Sequence, residues 1–361
     1  MECPIRRTTL AALAVVVLCA AWAQAPPWSS SIAQGRHASP AGPSQLVVDG
    51  AGNGHGVGMS QEGALGYAEH GWSYAAILGH YYTGTTIGQV APGTVIKVLI
   101  HGKVKHIALE TYVRGVVAAE MPSSWNMAAL EAQAVASRTY AITAKAGGSR
   151  FDVYPDDRSQ VYRGKAAETS STNAAVAATA GQIVTYGGQP AITYFFAGSG
   201  GHTESIQDAF LGATPEPWLV GVADPYETGP LHRWTVTIPF ASAASRLRGL
   251  VNGAFEGIEV LMRGASPRIM SAYVLGSKGR TFVSGQELAR RLGLYDTWAY
   301  FSVRDSLGVH PEPDASGQAG ATPPPVAMPS SVDGSGGSAA AAPTLRTLPS
   351  GVNGQGGVSA G

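Results

Sequence analysis

The stretch YVRGVVAAEMPSSWNMAALEAQAVASRTYA, residues 112–141, predicts two helices that meet at a proline. Leu109, Val113 and Val116 precede the proline at steps of four and three, which is the spacing of one apolar helix face. A proline disfavours helical backbone at the residue before it, so Pro122 ends the first helix there or earlier.

The second helix is predicted over residues 122–145. Ser123, Ser124 and Asn126 are its candidate N-caps, because their short side chains accept hydrogen bonds from the first free amides. Two glycines at 147–148 are expected to stop it.

β-rich segments and one further helix surround this pair. The strand predictions cover residues 94–102, 181–197, 232–239, 257–264 and 270–285, and residues 285–294 predict a closing helix. With long glycine-rich loops between them, these segments predict an α+β fold in a single domain over residues 44–310.

Glu120 occupies an unusual position in the first helix. A further step of four from Val116 along the apolar face arrives at this carboxylate, just before Pro122. A helix C-terminus and partial burial both disfavour negative charge, so both raise the pKa of a carboxyl group. A general acid working near neutral pH needs such a pKa. The alternative is an earlier helix end, with Glu120 as a surface residue or a local cap.

The two ends of the chain differ from its centre. Arg6 and Arg7 precede an apolar run at residues 10–21 that small residues follow, which predicts a secretory signal peptide over residues 1–23. Residues 24–43 predict a linker. Residues 311–361 are rich in Pro, Gly, Ser and Ala without aromatic residues, which predicts a disordered tail.

Composition excludes several classes of function. The 361 residues carry 24 basic and 24 acidic side chains. The sequence has no basic run with interleaved aromatics, so it does not predict a nucleic-acid partner. No segment after the leader has the length of a membrane span. Both cysteines, Cys3 and Cys19, lie in the leader, so the exported chain is expected to lack disulfides and thiolate ligands.

Four blocks resemble the SpoIID/LytB family, the group of stage II sporulation protein D and the amidase enhancers. The first is the helical pair, with Glu120-Met121-Pro122 and Ser137-Arg138-Thr139-Tyr140-Ala141. The others are SQVYRG at 159–164, FFAGSGGHTES at 195–205 and a block at 54–87 that begins GHGVGMSQEGA. The last block opens the domain here and closes it in typical members, an order that is tolerable if the two ends of the domain meet.

The resemblance implies a secreted, cell-wall-located lytic transglycosylase acting on peptidoglycan glycan strands that are stripped of their peptides. Glu120 would protonate the glycosidic oxygen, and its carboxylate would then take the proton of the 6-hydroxyl, leaving 1,6-anhydro-N-acetylmuramic acid. Because the nucleophile is intramolecular, no second carboxylate is needed. Asp156 or Asp157 would serve if the enzyme were a hydrolase, and a turn after Pro155 is the favoured alternative for both.

The resemblance also implies a set of substrate-binding residues around Glu120. They are His55, Ser60, Gln61, Arg138, Tyr140, Gln160, Tyr162, Ser199, His202 and Glu204. For the block at 54–64 the alternative is a tight turn that supports the helix of Glu120. For Arg138, a structural ion pair is slightly favoured over a glycan contact.

Neither a cofactor nor a metal is expected. Zinc-binding relatives carry cysteines near the Gln-Val-Tyr block, and residues 151–162 have none. A weak site using His55, His202 and a carboxylate is the alternative. For function as a whole, the alternative is a non-catalytic wall-binding enhancer of an N-acetylmuramoyl-L-alanine amidase, and a purely structural wall protein is more remote.

Overall fold

The computed structural model describes residues 44–316 and has a mixed α+β fold, as predicted. The predicted signal peptide, the linker up to residue 43 and the tail from residue 317 lie outside the described residues. The helices are α1 (Gln61–Glu69), α2 (Tyr74–Tyr81), α3 (Leu109–Glu120), α4 (Met127–Thr143), α5 (Ser170–Ala178), α6 (Ile206–Ala209), α7 (Phe240–Arg246) and α8 (Gly285–Leu292), with a 3-10 turn at Gly164–Ala167.

The strands form several small sheets rather than one large one. They are β1 (Gln45–Gly50), β2 (Met59–Ser60), β3 (Thr86–Gln89), β4 (Val95–Ile100), β5 (Lys103–Ala108), β6 (Gln182–Tyr186), β7 (Gln189–Pro190), β8 (Phe195–Phe196), β9 (Trp234–Pro239), β10 (Phe255–Arg263), β11 (Ile269–Gly276), β12 (Gly279–Ser284), β13 (Ala299–Asp305) and β14 (Gly308–Pro311). The sheet orders are β14-β13-β1-β9, β10-β11-β12 and β3-β6-β7, with a β4-β5 hairpin and a parallel β2-β8 pair.

The helical pair forms as its sequence predicts. Helix α3 ends at Glu120, and Met121 is its C-cap in extended backbone, as expected before Pro122. Asn126 is the N-cap of α4, and its side chain accepts a hydrogen bond from the amide of Ala128. The end of α4 differs from the prediction, because the helix stops at Thr143, before the glycines at 147–148.

The two ends of the described chain meet in one sheet. Strand β1 lies between β13 and β9, antiparallel to both, with Gly50 opposite Ala299 and Trp234. The stretch after β1, residues 52–64, is therefore anchored by the last strands of the chain. Because the two ends of the described chain are adjacent, the glycine-rich block can open the domain and still lie beside the segments that close it.

Two large hydrophobic clusters underlie the fold. The larger one contains the apolar faces of α3 and α4, including Tyr112, Val116 and Leu130. The other lies between β1, β9, β13, the β10–β12 sheet and helix α8, around Leu46, Ile258 and Leu288. The chain keeps contact with β10 as far as Ala315, whose amide donates to Val260, and the carboxylate of Asp314 pairs with Arg263 at 2.8 Å.

Within residues 44–316, no helix has both the length and the apolar character to cross a membrane.

Candidate active site around Glu120

Glu120 lies where α3 ends against an irregular segment, residues 159–163. The backbone amide of Val161 donates a hydrogen bond of 2.6 Å to Oε1 of Glu120. The carboxyl group is partly buried, because α3 continues its apolar face up to this last residue. The sequence-based placement of this carboxyl at a helix C-terminus is therefore confirmed.

Burial raises the pKa of Glu120 to about 7. The Val161 amide, the Gln61 side chain and the positive charge of Arg163 act in the opposite direction, because each favours the carboxylate. Burial outweighs all three. A carboxyl group with this pKa is protonated in about half of the molecules at neutral pH, so it can both give and take a proton.

Gln61 brings the glycine-rich stretch to Glu120. Ser60 caps helix α1 by accepting a hydrogen bond from Gly63, and this fixes the first residue of the helix, Gln61. Its Nε2 lies 3.4 Å from three acceptors: Oε2 of Glu120, the backbone oxygen of Glu120, and Oε1 of Gln133. These contacts are long for hydrogen bonds, so the amide is within reach of all three without a short bond to any.

A chain of polar side chains leads from Gln61 into helix α4. Nε2 of Gln133 donates to the hydroxyl of Ser137 at 2.9 Å, and both residues are buried. Nε2 of Gln160 donates to the backbone oxygen of Ser137 at 3.2 Å. The predicted site residue Gln160 is thus fully buried against α4 and ties residues 159–163 to that helix.

Tyr162 lies beside Glu120 on the surface of α3. Its ring stacks on that of Tyr112, with centroids 5.0 Å apart, and remains partly exposed. A Cβ atom at Gly115 would lie 2.6 Å from Cε2 of Tyr162, so only glycine permits this approach. An exposed aromatic face next to a candidate acid is suited to packing against a sugar ring.

Arg138 has a structural role. It is completely buried and pairs with Glu110 through two bonds of 2.8 Å, from Nε to Oε1 and from Nη2 to Oε2. Its Nη1 donates to the backbone oxygen of Gln182 at 3.0 Å. Arg138 therefore joins α4 to α3 and β6, which is the ion-pair alternative favoured from sequence.

Tyr140 and His55 share a neighbour, Tyr194. The Tyr140 and Tyr194 rings meet edge to face at 5.9 Å, and His55 makes the same kind of contact with Tyr194 at 5.9 Å. Nδ1 of His55 accepts a hydrogen bond of 3.0 Å from the amide of Val57. Both predicted residues are buried among these aromatic rings, which indicates a packing role for them.

The predicted residues Ser199, His202 and Glu204 lie on a loop with its own partners. The hydroxyl of Ser199 donates to Asp224 at 2.7 Å, and His202 Nδ1 lies 2.7 Å from the oxygen of Thr203. Glu204 is buried and accepts a 2.7 Å bond from Ser266. These contacts hold the loop to other segments, and none of them involves Glu120.

A second group of acids lies on the other side of α1. Burial first, and the neighbouring charges of Glu227 and Glu69 next, raise the pKa of Glu62 to about 7. Burial likewise raises the pKa of Asp224 to about 7, although Ser199 and Tyr81 donate to its carboxylate. The sequence pattern did not reveal this cluster, because its members come from segments 160 residues apart.

The alternatives raised from sequence have clear positions. Asp156 is partly exposed and pairs with Arg158 at 2.7 Å, and its backbone oxygen accepts from the amide of Ser159, as in the predicted turn. His55 and His202 have the separate surroundings described above. Among residues 44–316, no three His, Asp or Glu side chains come together in a group that could hold a metal ion.

Fold and site together define an α+β protein with a candidate acid–base carboxyl group at a helix end. Residues 101–186 match the SpoIID family, described as stage II sporulation protein. Stage II sporulation protein D of Bacillus subtilis is 30% identical over 209 residues, which cover 53% of this chain and 59% of that protein. The amidase enhancer of the same organism is 36% identical over 127 residues, 35% of this chain and 17% of the relative.

An uncharacterized protein of Brachyspira hyodysenteriae is 36% identical over 187 residues, 51% of this chain. The chain spans about half the length of these first relatives, 48% and 59% of the Brachyspira and Bacillus proteins respectively. The match over residues 101–186 and these relatives support the resemblance to the SpoIID/LytB family that the four sequence blocks indicate.

Proposed function

We propose that this protein is an exported lytic transglycosylase that cleaves peptidoglycan glycan strands, with Glu120 as its single acid and base. The family of its relatives supports a role at the cell wall. The observation that carries the enzymatic proposal is the carboxyl group of Glu120, with a pKa of about 7 and a short bond to the Val161 amide.

The two oxygens of Glu120 have different tasks in this reaction. Oε1 accepts the 2.6 Å bond from Val161, so in the acid form the proton resides on Oε2. Oε2 donates this proton to the glycosidic oxygen as the bond from C1 of N-acetylmuramic acid breaks. The 6-hydroxyl of the same sugar then attacks C1, and its proton passes to Oε2. Glu120 returns to its starting state, and the product is a 1,6-anhydro ring.

In this proposal the substrate contacts nearest the carboxyl group come from Gln61, which is within reach of Oε2, and from Tyr162, which follows the residue whose amide binds Oε1. The amide of Gln61 is 3.4 Å from Oε2, so it can donate a hydrogen bond to this oxygen when Glu120 is in its carboxylate form. Tyr162 offers a partly exposed ring beside it. The other eight predicted residues act, in this proposal, by shaping and bracing the site.

The test uses purified protein and peptide-stripped glycan strands, with the products measured by mass spectrometry. We expect anhydro-muramic ends from the wild type and none from Glu120→Gln. Glu256→Gln is the matched control, since it makes the same change at an exposed position of β10. It is expected to leave activity intact. Ordinary reducing ends would identify a hydrolase instead, and loss of those ends in Asp156→Asn or Asp157→Asn would assign its second acid.

The similarity to the amidase enhancer favours one second candidate, a wall-binding protein that activates a separate amidase. In that case the strands stay intact, and an added N-acetylmuramoyl-L-alanine amidase digests peptidoglycan faster in the presence of the protein. Glu120→Gln separates the two candidates, because enhancement would survive this change and transglycosylase activity would not.

A further inference from the structure

Arg163 is held beside Glu120 by the same segment that binds the carboxyl group. The amide of Arg163 donates to the backbone oxygen of Gly115 at 3.2 Å, and the amide of Val161, two residues earlier, donates to Glu120. Between them in sequence, Tyr162 stacks its ring on Tyr112 of α3. The backbone of Arg163 is therefore fixed along α3, and two residues of chain span at most about 7 Å.

The side chain of Arg163 is exposed and makes no ion pair with any residue in the described part of the chain. Neighbouring arginines do have such partners: Arg114 pairs with Glu168, Arg138 with Glu110 and Arg158 with Asp156. The guanidinium is near enough to Glu120 to favour its carboxylate form. A positive charge at the edge of a candidate active site, without an acidic partner, is suited to binding an anionic group of a substrate.

Peptidoglycan strands offer one such group. N-acetylmuramic acid carries a lactyl ether on C3, and when the peptide has been removed this ether ends in a free carboxylate. When the peptide is present, the same carbon is an uncharged amide. The lactyl group belongs to the sugar whose C1 bond is cleaved, so it lies one ring from the oxygen that Glu120 would protonate. A guanidinium binds a carboxylate through two parallel N–H bonds and cannot do so with an amide.

We propose that Arg163 binds the free lactyl carboxylate of peptide-stripped N-acetylmuramic acid and so determines which strands the site accepts. This inference rests on the proposed function of Glu120. It assigns Arg163 a role in specificity, separate from the proton transfer itself.

The test compares two matched substrates: glycan strands with free lactyl carboxylates, and the same strands after conversion of those carboxylates to methylamides. We expect the wild type to prefer the free acid. Arg163→Gln is expected to raise KM for the acid about tenfold, with little change in kcat and in KM for the amide. Lys165→Gln removes an equally exposed charge two residues away and is expected to keep the preference.

Binding provides a readout that does not depend on cleavage. The affinities of both strands are measured for Glu120→Gln alone and combined with Arg163→Gln. We expect the preference for the acid to disappear in the double variant and to weaken with added salt in the single one. Equal binding of both strands by the single variant, or an equal loss on both caused by Arg163→Gln, would overturn the inference. If the wild type cleaves neither strand, the proposed function fails and this binding comparison still decides the role of Arg163.

Discussion

The amide of Val161 lies 2.6 Å from Oε1 of Glu120, although 41 positions separate the two residues in sequence. The donor comes from an irregular segment and the acceptor from the end of a helix. A backbone donor cannot be replaced by a side-chain mutation, so the bond has to be tested through the residues that hold the two segments together or through the pKa that it influences.

The first prediction concerns the pH dependence of cleavage. The proposed reaction begins with the protonated form of Glu120, and burial raises the pKa of this group to about 7. As pH rises through 7 the acid form is lost, so kcat/KM is expected to fall about tenfold per pH unit above that value. A profile of kcat/KM from pH 5 to 9 measures this decrease, which forms the basic limb of the pH curve. A rate that keeps rising to pH 9 would contradict Glu120 as the acid.

The second prediction concerns Gln61. Its amide favours the carboxylate form of Glu120, so Gln61→Leu is expected to raise the pKa of Glu120 and move the basic limb to higher pH. The same variant should lower kcat, because the carboxylate formed after proton donation loses a donor. Gln189→Leu makes the same change at an exposed position of β7 and should leave the limb in place. If the basic limb of Gln61→Leu lies at the same pH as that of the wild type, the contact with Gln61 does not lower the pKa of Glu120.

The third prediction concerns the approach of residues 159–163 to α3. A Cβ atom at Gly115 would lie 2.6 Å from the Tyr162 ring and 2.9 Å from Cα of Gly164, so Gly115→Ala must displace this segment. We expect a loss of stability of about 1–3 kcal/mol and a strong loss of activity. The displaced Val161 amide should also raise the pKa of Glu120, visible in the pH profile.

Gly79→Ala is the matched control for this change. Gly79 lies in α2, and a Cβ atom there would meet nothing within 4 Å. Because alanine favours helix more than glycine does, stability is expected to rise by about 0.5–1 kcal/mol. Chemical denaturation of both variants measures the difference, and equal effects of the two substitutions would contradict the packing at Gly115.

The fourth prediction concerns the acids beside α1. The pKa of Asp224 rises from 3.8 to about 7 on folding, so between these values the folded state holds a proton that the unfolded chain has lost. Its contribution to stability is therefore greatest below pH 4 and is lost as pH rises to 7. The slope for one group is at most about 1.4 kcal/mol per pH unit.

Asp224→Asn removes this titration. The free energy of unfolding of the wild type, measured in urea from pH 5 to 8, should decrease more steeply with pH than that of the variant. The pKa of Glu62 is also about 7, so the stability of Asp224→Asn should still decrease with pH, but less steeply. Identical slopes for the two proteins would show that Asp224 titrates as it does in the unfolded chain.

Local pattern was sufficient for the helical pair and for Glu120. The apolar face of α3 has a regular period, Pro122 ends the helix, and Asn126 is a strong N-cap, so each feature depends on neighbours in sequence. The prediction for the end of α4 was less accurate. That helix ends at Thr143, and Ala144 already adopts extended backbone, three residues before the glycines that were expected to stop the helix.

Helix α1 shows why the rest of the site could not be predicted. Glycine disfavours helix, and Gly63 and Gly66 made this segment resemble a loop. Both glycines are required by distant parts of the chain: a Cβ atom at Gly63 would lie 2.1 Å from the Tyr81 hydroxyl, and one at Gly66 would lie 2.1 Å from the oxygen of Tyr226. Tertiary contacts outweigh local propensity here. For the same reason, the buried places of Ser60 and Glu204 could not be inferred from their polar surroundings.

The pairing of β1 with β13 has a consequence for the order of folding. Strand β1 is among the first described segments to be synthesised, yet its partner β13 is among the last. Loop-closure entropy opposes such distant contacts until most of the chain is present, and they form slowly. The helices α3 and α4 can pair from local contacts well before that. We therefore expect Gln61 to reach Glu120 late, so that the surroundings of this carboxyl group are complete only when nearly all of the described chain is available.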